Sequence, residues 1–157
     1  MGPIEVLRLI IRRLRQDRFK VIPEAHLLLF KDNQVLLLKR EHTGYEDGKY
    51  GVIAGHIDGG EPARQAMCRE AREEGGILVE PDSLTLCHVM HRKATQERVS
   101  FFFTTQRWVG EPRNMEPEKC SDLSWFRSDA LPPNMVPYVR VAIERVRRGE
   151  SYSEFGW

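Results

Sequence analysis

A chain of 157 residues, 41% hydrophobic and 30% charged, has the makeup of one soluble globular domain built on a single core. Its net charge of +1 excludes a molecule-wide field able to gather a nucleic-acid polymer. Cys68, Cys87 and Cys120 are far apart with no C-x-x-C pair, which excludes a disulfide framework or a zinc knuckle and points to reduced thiols in the cytoplasm.

The first predicted element is a short amphipathic helix. "IEVLRLIIRRLR" places Ile4, Leu7, Ile10, Ile11 and Leu14 at helical spacing, a stripe expected to pack on the domain or on a partner. Its apolar run, Leu9 to Ile11, is too short for a signal segment or a membrane span, so no membrane-spanning or targeting segment is expected. Two basic clusters, Arg12, Arg13, Arg15, Arg18 and Lys20 near the start and Arg145, Arg147 and Arg148 near the end, read as solvated helix faces, with phosphate or membrane contact as the alternative.

"AHLLLF" and "QVLLLKR" follow, separated by "KDN", and predict a hairpin in a sheet covered on both faces. "EHTGYEDGKYG" is a surface loop, and "YGVIAG" is a short strand. A helix runs from Pro62 to Glu74, with proline at its first position and Gly75-Gly76 as its stop. "SLTLCHVMHRK" and "ERVSFFFTTQRW" form two long strands around "ATQ". After the loop "WVGEPRNMEPEKCSD" come a last strand, "LSWF", and a final helix from Tyr138 to Arg148 with Val139, Ala142, Ile143 and Val146 on one side. This order suggests an α/β fold with a mixed sheet covered on both faces.

The helix at 62–74 makes an unusual choice. Glu70 and Glu74 point the same way as Ala63, Ala66 and Met67, the face that ought to be buried, while Arg64, Gln65, Cys68 and Arg72 take the other side. Like charges four residues apart cost a helix a few tenths of a kcal/mol, and acids at its C-terminal end face the negative pole of the macrodipole. Burying an unpaired carboxylate costs several kcal/mol more. Something positive must sit there, and a hard divalent cation, Mg²⁺ with Mn²⁺ as substitute, suits a cage of carboxylate oxygens beside a glycine-bearing turn.

The run Gly55, five residues, Glu61, seven residues, Arg69-Glu70-Ala71, one residue, Glu73-Glu74, one residue, Gly76-Ile77 resembles the Nudix box at every fixed position. Together with the flanking strands and "LSWFRSDALP", it marks a resemblance to the MutT-like Nudix hydrolases over residues 20–148, leaving 1–19 as a helical extension and 149–157 as a tail. The resemblance implies a Nudix α/β/α sandwich with a mixed sheet and Mg²⁺-dependent cleavage of a diphosphate bond in a nucleoside triphosphate or other nucleoside diphosphate derivative. It places metal ligands on Glu70, Glu73, Glu74 and the carbonyl of Gly55. Glu61 and Arg69 fall on the pair that ties the loop to the helix. Arg69, Lys39 and Arg40 are also phosphate contacts to consider, with a solvated surface role as the favoured alternative for the last two. The general base stays open between Glu70 and the later glutamates Glu116 and Glu118. Many relatives carry proline where this chain has Ile53, a departure that removes no catalytic group.

Substrate choice lies outside the box. Tyr45, Tyr50, Phe102 and Tyr138 offer rings to a base and Asn134 an amide to its edge, each with core or turn packing as the alternative. His56 reads as a loop residue, and His88 and His91, on opposite faces of a strand, do not pair as ligands. The expected partner is a small nucleotide, with a homodimer through residues 4–14 or the "YSEFGW" tail as a further contact. The competing function is a nucleotide-binding sensor that kept the fold and lost turnover. A diphosphate isomerase finds no cysteine–glutamate support in the loops.

Overall fold

The computed structural model describes residues 2–14 and 18–157, and the side chains of residues 12–14 lie outside that description. Leu14 of the expected apolar stripe, and Arg12, Arg13 and Arg15 of the basic cluster, therefore fall outside it. The chain runs α1 (Pro3–Leu14), β1 (Ile22–Leu27), β2 (Phe30–Lys31), β3 (Gln34–Arg40), β4 (Tyr50–Gly51), β5 (Ile53–His56), α2 (Ala63–Gly75), a 3₁₀ turn (Pro81–Ser83), β6 (Thr85–Lys93), β7 (Glu97–Thr104), β8 (Cys120–Arg127), α3 (Pro137–Arg147) and β9 (Tyr152–Phe155).

The strands form two sheets. A five-stranded mixed sheet has the order β5-β1-β7-β6-β9, with β1–β7 and β6–β9 parallel and the other pairs antiparallel. A four-stranded antiparallel sheet centres on β3, which pairs with β2, β4 and β8. The period-2 alternation of strands then sorts side chains into two cores. Ala25, Leu27, Leu29, Leu36 and Leu38 face α2, where they meet Ala66, Met67 and Ala71. Leu28, Val35 and Leu37 face α3, where they meet Val139, Ala142 and Ile143. Burial on both faces explains why these strands read as unbroken apolar runs.

Three predicted features differ from the structure. The hairpin of "AHLLLF" with "QVLLLKR" shrinks to the two-residue β2 paired with β3, because the chain changes sheets at Leu28–Leu29 and β1 pairs with β5 and β7 instead. Its turn is Asp32-Asn33, both with positive φ, the backbone that the primed hairpin turns require. The single strand "YGVIAG" is two, with Tyr50–Gly51 in the β3 sheet and Ile53–His56 in the β1 sheet. The "YSEFGW" tail is not free: Tyr152–Phe155 adds an edge strand parallel to β6, and Phe155 packs against the α3 core. His88 helps hold it there, its ring nitrogens bonding Glu150 O and Ser153 Oγ, each at 2.7 Å.

The hairpin around "ATQ" forms in full as β6 and β7. The N-terminal helix also forms, but among the described residues its stripe is exposed: Ile4 is 72% and Leu7 57% exposed. No helix among the described residues is long and apolar enough to cross a membrane.

Candidate active site

Helix α2 starts after Pro62, which is the residue preceding the first turn rather than within it, and ends at Gly76. Gly76 has φ 65°, the left-handed backbone of a helix stop, with its N–H bonded to Arg72 O. The next two orphan carbonyls, those of Glu74 and Gly75, accept bonds from the N–H groups of Met115 and Arg113. The acid-rich loop before β8 is thereby docked on the acidic end of the helix.

The opposite approach to α2 is fixed by Arg69. Its Nη2 and Nε donate to Glu61 Oε1 at 2.7 Å and Oε2 at 3.2 Å, and Nη2 also donates to His56 O at 3.2 Å. Glu61 Oε1 in turn accepts the Asp58 N–H at 2.9 Å. A bidentate pair of this kind is geometrically specific, and it straps the glycine turn at 58–60 to the helix. The guanidinium is further occupied by Glu70 at 2.7 Å and Glu73 at 3.4 Å. Its donors are thus spread over the loop and the helix carboxylates, in the tying position rather than extended toward a phosphate.

Between the end of β5, the acidic end of α2, the loop after β3 and the 116–120 loop lies a cleft of about 460 Å³. Glu70, Glu73, Glu74 and Glu116 line it together with Ala54, Gly55, Arg40 and Lys119. A Cβ at Gly55 would overlap the Glu70 carboxylate, so a larger residue there has to push that side chain aside. Glu74 Oε2 accepts the Ala54 N–H at 3.1 Å, yet Glu74 has no ion-pair partner among the described residues. Burial, then the neighbouring Glu70 charge, push its carboxyl up to about 8, while burial raises Glu70 against the pull of Arg69. The local field therefore asks for a cation.

The donor set fits a hard divalent ion by chemistry: several carboxylates on one helix end and strand backbone close enough to touch Glu70. In their present rotamers no three acidic, histidine or cysteine side chains among the described residues converge on one point, because Glu70 turns toward Arg69 and Glu73 is half-exposed. Of the two later glutamates, Glu116 lines the cleft; Glu118 is exposed and does not.

The other proposed substrate contacts separate. Tyr45 and Tyr138 line a second cavity, of about 300 Å³, that shares Arg40, Ala54 and Gly55 with the first. Phe102 does not offer a stacking face: it is fully buried, its ring stacked on His26 at 4.6 Å. Tyr50 points its hydroxyl to Asp122 at 2.6 Å, and Asn134 donates to Gly48 O at 3.0 Å, so both serve packing and turn structure outside the two cavities. Cys68, expected on the outer side of α2, is partly buried against the core.

The second cavity also contains residues that the sequence did not single out. Glu24, 6% exposed, accepts from Arg92 Nη2 at 2.6 Å, Ser100 Oγ at 3.0 Å and Arg98 Nη1 at 2.5 Å. The Arg92 guanidinium also lies 3.8 Å over the Tyr138 ring, whose hydroxyl bonds His26 Nε2 at 2.9 Å. His26 is fully enclosed, with Nδ1 unpartnered among the described residues, and burial pushes its pKa down to about 4. The one sequence signal was charge inside an otherwise apolar strand, in "IPEAHLLLF".

Residues 22–146 match the NUDIX domain family. The chain is 27% identical over 112 residues to an Escherichia coli (strain K12) protein named 8-oxo-dGTP diphosphatase, covering 69% of this chain and 85% of that one. It is 27% identical over 118 residues to the NAD-capped RNA hydrolase NudC of Shigella dysenteriae, covering 75% of this chain but 44% of NudC, so it spans less than half of that relative. A MutT NUDIX hydrolase structure from Burkholderia pseudomallei superposes with a TM-score of 0.74 at 32% identity, covering 81% of this chain and 98% of that one. A NUDIX hydrolase from Nitrosomonas europaea shares the fold with a TM-score of 0.71 at 23% identity.

Proposed function

From the premise that this chain belongs to the NUDIX domain family and is a pyrophosphohydrolase, we propose that it is a Mg²⁺-dependent hydrolase of nucleoside triphosphates or related nucleoside diphosphate derivatives. The observation that carries the reading is Glu74, a carboxylate enclosed beside Glu70 and Glu116 with a raised pKa and no ion-pair partner among the described residues. Such an arrangement is costly unless a cation belongs there. Glu70, Glu73, Glu74 and the Gly55 carbonyl are the groups that would hold it. A bound divalent ion would cancel phosphate charge and acidify the attacking water.

The chain's own residues supply the rest. Arg69 and Glu61 keep the glycine turn against α2, which sets the distance between strand backbone and carboxylates. Arg40 and Lys119 bring positive charge to the rim of an otherwise acidic cleft and so draw in an anionic substrate. Glu116, which lines the same cleft, would accept a proton from water, with Glu70 as the other acceptor. An oxidised purine nucleoside triphosphate is the first substrate to try, given the name of the E. coli relative. A cytoplasmic setting belongs to the same proposal and is supported by three unbridged cysteines.

The test is product release over a panel of nucleotides, first with Mg²⁺ and then with chelator. Nucleoside monophosphate and pyrophosphate should appear with the metal and stop without it. Tight nucleotide binding with no product in either condition would leave a sensor in its place.

A further inference from the structure

The second cavity differs from the carboxylate cleft in charge and in what its walls leave free. Its lining carries Arg40, Arg92 and Arg98 against the single carboxylate of Glu24. That carboxylate is spent, since both oxygens already accept bonds from the two arginines and Ser100. Donors, by contrast, remain: among the described residues only Nη1 of Arg98 is engaged, and Arg40 uses Nε and Nη2 on Tyr45 O and Thr43 Oγ1.

The rings in the wall are also partly used. The Tyr138 ring carries the Arg92 guanidinium at 3.8 Å, Tyr45 carries Arg40 at 5.5 Å, and His26 stacks on Phe102. A nucleobase needs an open stacking face together with paired donors and acceptors. This wall supplies free donors and excess positive charge instead.

We propose that this cavity is a subsite for an oxyanion, a phosphate or a carboxylate, carried by the part of the substrate beyond the diphosphate, with Arg98 and Arg40 as its contacts. The proposal rests on reading the adjoining cleft as the hydrolytic site, with which it shares Arg40, Ala54 and Gly55. Preferred substrates then carry charge on both sides of the bond that is cut. A neutral sugar or alcohol at the far end leaves the excess positive charge of this wall, three guanidinium groups against Glu24, unanswered.

Two matched pairs test it in Mg²⁺: UDP-glucuronate against UDP-glucose, which differ by a carboxylate, and a nucleoside triphosphate against its diphosphate, which differ by a terminal phosphate. The charged member should be favoured at least tenfold in kcat/KM, and the pair that shows it identifies which oxyanion is used. Arg98→Gln should collapse the preference to within twofold by raising KM, with kcat little changed, and Arg98→Lys should keep most of it. Equal rates within both pairs, or a uniform loss on all four substrates in Arg98→Gln, would overturn the subsite.

If nothing on the panel is cleaved, the hydrolytic reading is what fails. The subsite is then decided by calorimetry with inorganic tripolyphosphate and citrate. At least tenfold weaker binding to Arg98→Gln than to wild type supports it, and equal affinity overturns it.

Discussion

Replacing Glu74 by glutamine should make the metal-free protein more stable at neutral pH. The carboxyl has a folded-state pKa of about 8 against 4.5 when unfolded, so the fold favours its protonated form. That contribution is fully present below pH 4.5 and is lost as the pH rises through about 8, because ionisation places a charge beside Glu70 in a poorly hydrated spot. At about 1.4 kcal/mol per pKa unit, the wild-type fold gives up about 3 kcal/mol between pH 4.5 and pH 7. For a domain of this size that is about 10 °C in Tm.

Glutamine keeps an oxygen for the Ala54 N–H and cannot ionise, so Glu74→Gln should escape the loss. The assay is thermal unfolding by circular dichroism from pH 5 to pH 8 in EDTA, repeated with Mn²⁺. In EDTA the two proteins should melt together at pH 5 and separate by about 10 °C at pH 8, the variant higher. Added Mn²⁺ should raise the wild type, since an ion that binds only the folded carboxylates stabilises it by mass action, and should leave the variant nearly unmoved. Parallel pH curves in EDTA for both proteins would refute the reasoning.

Three shorter expectations follow from the same geometry. Glu116→Gln should lower turnover at least tenfold, while Glu118→Gln, exposed and outside the cleft, should stay within twofold in the same Mg²⁺-dependent phosphate-release assay. Gly55→Ala should force the Glu70 carboxylate aside, costing about 1–2 kcal/mol in thermal unfolding and at least tenfold in activity; full activity would show that the close approach is idle. His26, held neutral by burial with a pKa near 4 against 6.5 unfolded, contributes stability that is present above pH 6.5 and lost as the pH falls through about 4. Acid melts of His26→Gln should therefore be flatter between pH 6.5 and pH 4 than those of the wild type.

What the sequence disclosed and what it withheld divide along sequence separation. The carboxylates on α2, its strap and its stop all lie within residues 55–77, where spacing translates directly into a helix face and a turn. The hairpin β6–β7 was legible for the same reason, with three residues between its strands. The split of "YGVIAG" and the sheet change at Leu28–Leu29 were not, because an unbroken apolar run carries no mark of which face, or which sheet, each residue joins.

Harder still was the Glu24 cluster, whose partners Arg92, Arg98 and Ser100 stand 68 to 76 residues away and meet it only through the parallel β1–β7 pairing and its neighbour β6. Parallel neighbours leave no turn between them for the eye to find. Alternation in β1 decides the outcome: Ala25 and Leu27 go to the α2 core, so Glu24 and His26 must go to the other face. A glutamate so enclosed demands cations, and the strands across the sheet supply two. The Nudix box thus accounts for the chemistry at one wall of Gly55, while the charge pattern set by β1, β6 and β7 governs what can lie against the other.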